Sequence, residues 1–342
     1  MGVSIRNMLF KKRLLKSNSY PLPVICVGNL AVGGTGKTPH TEHIVHLLQD
    51  EGLHVATLSR GYKRKTKGYV KTTLSSQASQ IGDEPWQLKH NFPQATVAVC
   101  ENRCQGIERL MEEQHPHIEA IILDDAFQHR YVKAGLNILL TDYHRLYPCD
   151  KLLPAGRLRE CVSEAERAQM VVVTKCPEDM EEKDFEAVKA QLHLLPHQQL
   201  FFSAIAYKEL VPVFKQAKTL TGGIDEETQV LVVAGIAHPE PMVAYLKSLT
   251  PHVEVMAYSD HHRFIPNDIM TISQQFERLT GKRLIVTTQK DAARLQDISR
   301  SMDNDLKNNL YALPIGIRIL KNQQETFNRN IIDYVRQDSR NR

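Results

Sequence analysis

The residues most able to do chemistry lie in the run 28-GNLAVGGTGKT-38, where glycines at 33, 34 and 36 precede Lys37 and Thr38. An apolar run, 23-PVICVGN-29, leads into it and a helix-length amphipathic segment follows, so it has the strand–loop–helix context of a phosphate-binding loop. Backbone amides of Gly33, Gly34, Thr35 and Gly36 at a helix N-terminus can surround a triphosphate, because glycine allows positive φ and close approach. Lys37 would neutralise the β- and γ-phosphates, and Thr38 would offer its hydroxyl to Mg²⁺. Ala31 occupies the place of the first glycine in the strict G-x-x-x-x-G-K-[ST] pattern, and alanine is nearly as small.

A second apolar run, 120-AIILDD-125, ends in two aspartates. Asp124 and Asp125 are the acidic partners expected beside such a loop, holding Mg²⁺ or its water shell. The competing reading is a helix cap or turn. Together the two motifs define a P-loop nucleotide-binding protein without naming its acceptor.

Placing these groups requires a parallel sheet. Short β-branched runs at 23–29, 54–59, 96–100, 119–124 and 136–142 alternate with amphipathic segments at 38–51 and 103–114, the signature of βαβ units. A second series, with strands at 169–175, 199–204, 229–235, 253–258 and 283–288 and helices near 181–193, 239–249 and 267–279, predicts a second α/β domain. The seam falls in 147-YPCDKLLPAGRLRE-160, where prolines and glycine break both periodicities. The resulting division is a basic segment over 1–20, a P-loop core over 21–155 and a second α/β domain over 156–342, with a C-terminal helix able to pack back on the core and a frayed tail after about residue 336.

Composition narrows the class. The 342 residues are 42% hydrophobic and 24% charged with a net charge of +4, which suits a folded chain and gives no global signal for nucleic acid. No apolar run reaches the roughly 18 to 20 residues of a membrane span. Basic residues interrupt every apolar stretch before residue 20, arguing against a cleavable signal and for a cytoplasmic protein. Six cysteines without C-x-x-C spacing read as reduced, mostly buried thiols. From Met1 to Thr41 there is no Asp or Glu, and Arg6, Lys11, Lys12, Arg13 and Lys16 alternate with apolar residues. Such a helix could lie on an anionic membrane surface or dock on its own domain.

Seven blocks in series, 27-VGNLAVGGTGKTP-39, 82-GDEP-85, 124-DDAFQHR-130, 154-PAGRLRE-160, 234-AGIAHPE-240, 260-DHH-262 and 287-TTQKDAARL-295, resemble the tetraacyldisaccharide 4′-kinase family over nearly the whole chain. Ala126, Arg157 and Gln289 depart from its usual glycine, proline and glutamate. The resemblance implies two P-loop-like α/β domains with the active site in the cleft between them. It also implies a peripheral enzyme at the cytoplasmic face of the bacterial inner membrane, with no obligate protein partner, that uses ATP and Mg²⁺ to phosphorylate the 4′-hydroxyl of tetraacyldisaccharide 1-phosphate.

On that resemblance Asp83, oriented by His261, is the proton acceptor a sugar hydroxyl needs, and Lys37 joins them as a catalytic residue. Asp83 could instead cap the helix starting at Glu84-Pro85. Gln128 and Glu160 become candidates around Mg²⁺ or the phosphates. Arg130, Arg157 and Arg159 become candidates for the γ-phosphoryl or the 1-phosphate, since guanidinium groups suit bidentate phosphate contact, although single arginines often make surface ion pairs. Tyr62, Lys63 and Arg64 form a basic loop that could meet substrate or solvent. His40, His43 and His46 are expected on a helix surface, and His262 in packing or at the surface. A GTPase or metallochaperone-like switch shares the P-loop, but 174-TKCP-177 has Pro177 where the guanine-reading motif has Asp. A soluble ligase of the dethiobiotin-synthetase type has no use for the basic apolar N-terminus.

Overall fold

The computed structural model describes residues 2–113, 115–217, 220 and 222–340. In chain order come α1 (Gly2–Lys11), β1 (Val24–Asn29), α2 (Lys37–Asp50), β2 (Val55–Ser59), β3 (Val70–Lys71), α3 (Ala78–Ile81) and α4 (Asp83–Asn91). β4 (Thr96–Val99), α5 (Arg103–Met111), β5 (Ala120–Asp124), β6 (Leu136–Asp142), β7 (Met170–Thr174), α6 (Glu182–Leu192) and β8 (Gln199–Tyr207) follow. Next are β9 (Val211–Pro212), β10 (Gln229–Ala234), α7 (Glu240–Lys247), β11 (Val253–Ala257), α8 (Pro266–Glu277), β12 (Arg283–Thr288), α9 (Gln289–Asp297), α10 (Asn304–Asn309), β13 (Leu310–Leu313), β14 (Ile315–Ile319) and α11 (Gln324–Arg340).

The chain divides into two compact units, residues 1–75, 88–206 and 316–342, and residues 76–87 and 207–315. In the first, the strands run β14-β8-β7-β6-β1-β5-β2-β4-β3 among the described residues. β1 is parallel to both β5 and β6. It reads VICVGN and is buried at every position, as a strand covered on both faces must be. Ile25 packs with Ile44 and Leu48 of α2 and with Phe327 and Ile331 of α11. Cys26 packs with Leu58, Ile107 and Phe127. Because β5 and β6 flank β1 on opposite sides, the carboxyl end of β1 opens at a switch in strand order, where α/β sheets bind ligands.

The second unit carries a sheet ordered β11-β10-β12-β13-β9, with β10 parallel to β11 and β12. Leu231, Val233 and Ile285 pack with Phe264 and Phe276 on one side, and Val230, Val232 and Val286 with Met242 and Leu246 on the other.

This partition corrects the one read from the sequence. The strands at 170–174 and 199–207 extend the first sheet, and residues 82–85 belong to the second unit. The boundary falls after Ala206, inside an unbroken strand with no proline or glycine to announce it. The Pro- and Gly-rich stretch at 147–160 is a loop of the first unit whose backbone serves the phosphate loop: Val32 N–H donates to Arg157 O at 2.8 Å and Arg159 N–H to Leu30 O at 2.7 Å. The C-terminal residues expected to fray continue α11 to Arg340, while residues 341–342 lie outside the described residues. All six cysteines are free, but only Cys26, Cys100 and Cys176 are buried. No helix of the described residues is long and apolar enough to cross a membrane.

Candidate functional site

In the first unit the phosphate loop joins β1 to α2 as its sequence demands. Gly36 caps α2 in the left-handed region at φ 79°, and Gly33 has φ 112°, both costly for a side chain. The amides at the start of α2 and the helix dipole then favour an anion. Asn29 Nδ2 donates to Thr35 Oγ1 at 2.8 Å, tying the loop to the strand end. Lys37 Nζ lies 3.4 Å from Gly33 O and 3.9 Å from Asp125 Oδ1. Thr38 is buried at the first turn.

His40, expected on the surface of α2, is 1% exposed. Its Nδ1 lies 2.7 Å from Gly36 O and its Nε2 3.0 Å from Ser203 Oγ. A carbonyl only accepts, so Nδ1 carries the proton and the ring clamps the loop glycine. Burial pushes the pKa of His40 down to about 4, so the clamp is a neutral imidazole. His43 Nε2 donates to Asn328 Oδ1 of α11 at 2.8 Å, and of the three only His46 is well exposed.

Asp124 and Asp125 stand at the carboxyl end of β5, brought close because Gly28 lets Phe127 approach: a Cβ there would lie 2.6 Å from the Phe127 Cβ. Thr41 Oγ1 donates to Asp124 Oδ1 at 3.2 Å. Asp125, at φ 49°, accepts from Arg159 Nη2 at 2.8 Å. Partial burial raises the Asp125 carboxyl, but the charges of Lys37 and Arg159 hold it below the usual range. Arg159 also reaches Asn29 Oδ1. Gln128 Nε2 donates to Asn29 O at 2.7 Å, while its buried Oε1 has no hydrogen-bond partner. The Arg157 side chain is exposed beside the loop. Thr38, Asp124, Asp125 and the Gln128 carbonyl are hard oxygen donors of the kind Mg²⁺ selects. No set of three His, Cys, Asp or Glu converges as a metal cage among the described residues, so a metal here would draw ligands from phosphate and water.

Two expected members are committed elsewhere. Glu160 is buried, with Oε1 accepting from Asn7 at 2.9 Å and Oε2 from Arg167 at 3.0 Å, and ligating a metal would mean giving up those pairs. Arg130 pairs with Glu164 at 3.1 Å and stacks on Phe10 at 5.1 Å, so it holds α1 rather than a phosphate. Arg6 likewise reaches Gln128 O at 3.0 Å and Glu160. The docked face of α1, with Asn7 and Phe10, leaves Val3, Ile5 and Met8 40–50% exposed. In the basic loop Arg64 is also internal, paired with Glu101 at 2.6 Å, while Tyr62 is exposed.

The second unit assembles a different site from four separate segments. Asp83 opens α4, and its Oδ2 accepts from Arg294 Nε at 2.8 Å and Nη2 at 2.6 Å, so it serves an ion pair and is not the cap expected in the alternative reading. Arg294 Nη2 also lies 3.1 Å from His261 Nδ1, whereas His261 Nδ1 and Asp83 Oδ2 are 3.8 Å apart. Arg294 Nη1 donates to Asp291 Oδ1 at 2.8 Å and to Gly235 O at 3.2 Å. The wholly buried Asp291 takes the Gly235 amide at 2.9 Å and the Thr288 hydroxyl at 2.8 Å. Gly235 makes room for this, since a Cβ there would sit 3.0 Å from Asp291 Oδ1 and oblige the carboxylate to shift. Burial raises the Asp83 carboxyl, but adjacent His261 and the charges of Arg294 and Lys290 outweigh it and hold it below the usual range. Lys290 pairs with Glu84 at 2.7 Å, and Gln289 accepts from Gln87 at 3.1 Å. His262 pairs with Asp268 at 2.8 Å and stacks on Tyr258, where the sequence left packing and surface both open. Arg294 and Asp291 were not singled out there; their signal was their place in 287-TTQKDAARL-295.

Residues 1–336 match the family described as Tetraacyldisaccharide-1-P 4′-kinase. Tetraacyldisaccharide 4′-kinases of Bacteroides fragilis strain YCH46 and Bacteroides thetaiotaomicron are each 51% identical, over 99% of this chain and 91% of theirs. That of Porphyromonas gingivalis strain W83 is 43% identical over 96% of this chain and 92% of its own. A crystal structure described as the "apo" form of LpxK from Aquifex aeolicus in complex with ATP superposes with TM-score 0.72 at 29% identity, covering 97% of this chain and 94% of that one.

Proposed function

The chain belongs to the tetraacyldisaccharide 4′-kinase family, and we propose that it transfers the γ-phosphoryl of ATP to the 4′-hydroxyl of tetraacyldisaccharide 1-phosphate through the residues just described. The observation that carries this reading is the pairing of a complete phosphate loop, ending in Lys37 and Thr38, with the paired aspartates at the end of β5.

The amides of Gly33, Gly34, Thr35 and Gly36 cradle the phosphates, and Lys37 opposes the charge on the transferring group. Thr38, Asp124 and Asp125 would hold Mg²⁺, with Gln128 Oε1 accepting from its water shell; bound there, the ion neutralises charge on the β- and γ-phosphates. Arg159, now on Asp125, and Arg157 have the guanidinium chemistry to meet phosphate oxygens. As the O4′–Pγ bond forms, the bond from Pγ to the β,γ-bridging oxygen breaks and its electron pair leaves with ADP. The hydroxyl proton passes to Asp83, whose carboxylate is held by Arg294 and flanked by His261. A carboxylate held ionised is available at every physiological pH, and in a loose transition state proton transfer comes late, so strong basicity is not demanded.

A tetraacylated acceptor stays in a bilayer, so the enzyme must work at its surface. Val3, Ile5 and Met8 of α1, turned away from the docked face, and the exposed Lys12, Arg13 and Lys16 that follow suit an anionic leaflet, each cation contributing about 1 kcal/mol. These exposed residues support the reading of a peripheral enzyme on the cytoplasmic face of the inner membrane. The test is incorporation of labelled γ-phosphate into tetraacyldisaccharide 1-phosphate in vesicles. Transfer at the 4′ position supports the reading, and ATP hydrolysis without transfer refutes it.

A further inference from the structure

We propose that Arg294 is the positioning residue of the acceptor site, fixing both the carboxylate of Asp83 and the tautomer of His261. The inference rests on Asp83 being the proton acceptor, and goes beyond it by assigning the group that makes Asp83 and His261 act together.

The geometry does not join Asp83 and His261 directly. At 3.8 Å their facing atoms are beyond hydrogen-bond range, and the guanidinium of Arg294 fills the gap, with Nη2 2.6 Å from Asp83 Oδ2 and 3.1 Å from His261 Nδ1. A guanidinium only donates, so His261 Nδ1 must present its lone pair and the neutral ring carries its proton on Nε2. Arg294 is itself immobilised. Its side chain is 10% exposed, and its other arm is held by Asp291 at 2.8 Å and Gly235 O at 3.2 Å. Asp291 is fixed in turn by the Gly235 amide and Thr288. Segments 82–85, 234–240, 260–262 and 287–295 thus converge on one guanidinium.

The charged groups around Asp83 are Arg294, Asp291, Lys290 and Asp297 from α9, His261 and Asp260 from the turn after β11, and Glu84 on its own helix. Arg294 is the cation in direct contact with the carboxylate. Removing it leaves Asp83 facing Asp291, with Lys290 already paired to Glu84.

The test is the pH profile of kcat/KM for 4′-phosphorylation in the wild type, Arg294→Gln and Arg294→Lys, with KM for ATP measured alongside. In Arg294→Gln the acidic limb should move up by at least about one pH unit, since the charge favouring ionised Asp83 is gone. Lysine, which keeps the charge without the fork, should restore the position of the limb but not full kcat, and KM for ATP should stay within about twofold throughout. A pH-independent loss with the limb unmoved would overturn the proposal and leave Arg294 a structural brace. Should Arg294→Gln fail to fold, ¹⁵N chemical shifts of the His261 ring in the wild type decide. A protonated Nε2 and bare Nδ1 support the assignment; the opposite tautomer overturns it. An Asp83→Asn enzyme that keeps activity within tenfold would sink the acceptor-base reading itself, independently of the Arg294 outcome.

Discussion

The phosphate loop of the first unit and the Asp83 cluster of the second are both charged, partly buried sites, yet they are built in opposite ways. The loop is one continuous stretch whose groups are mostly backbone amides, placed by glycines and a helix N-terminus. The Asp83 cluster is made of side chains from three segments and the Gly235 backbone of a fourth, spanning residues 83 to 294 and held together through Arg294. A site of amides tolerates side-chain change around it but depends on its glycines and its single cation. A site of interlocked side chains should lose function in a correlated way when any member is removed.

The largest effect belongs to the loop. Lys37→Ala should lower kcat/KM by roughly 10²- to 10³-fold, because one preorganised charge opposite the transferring phosphoryl is lost; near-normal steady-state turnover in the folded variant would contradict the assignment. In the second cluster, His261→Ala should reduce kcat by roughly 10²-fold with ATP affinity unchanged. Combining it with Asp83→Ala should add little to the worse single variant, and multiplicative losses in kcat would break the comparison. Gly235→Ala, which presses a methyl group to 3.0 Å from Asp291 Oδ1, should cost about 1–3 kcal/mol of stability, read as a shift in the denaturation midpoint. An unchanged midpoint would mean that the Asp291 support is loose.

Smaller effects fall on α1 and His40. Replacing Val3, Ile5 and Met8 with Ser should weaken binding to anionic vesicles and raise the apparent KM for lipid several-fold, each exposed apolar side chain being worth about 1 kcal/mol or more when inserted. Arg6 should be left in place, since it is tied to Glu160 and Gln128. His40 folds neutral, its pKa near 4 against an ordinary 6.5, so the unfolded chain binds the proton first. The stability it confers is whole above pH 6.5 and drains away as the pH falls towards 4, by at most about 3 kcal/mol. A His40→Gln variant should show a flatter melting temperature across that interval than the wild type.

What the sequence made legible follows the same contrast. The phosphate loop, Asp124 and Asp125 could be read directly, because adjacent residues at the end of a strand stay adjacent in space. Asp83 and His261 came only through family resemblance, and Arg294 was not singled out, since a helix arginine does not announce which loop it will touch. Glu160 and Arg130 sit close in sequence to reactive positions, but burial forces them to satisfy each other's neighbours: Glu160 takes Asn7 and Arg167, and Arg130 takes Glu164. His40 looked like one of a row on a helix, yet its face of α2 lies under Ser203 of β8, a contact made across 163 residues. The unit boundary was misplaced for a similar reason. Pro154 and Gly156 look like a linker but shape a loop that hydrogen-bonds to the phosphate loop, while the true boundary passes through an uninterrupted β8.

The division of labour between the two regions can be tested in a single-turnover experiment on Asp83→Asn, with labelled MgATP bound beforehand and tetraacyldisaccharide 1-phosphate then added. ATP should bind as in the wild type, because the phosphate loop is untouched, while transfer to the 4′-hydroxyl slows by roughly 10²-fold. Transfer within a few-fold of the wild type, or loss of ATP binding with transfer chemistry preserved, would contradict the account.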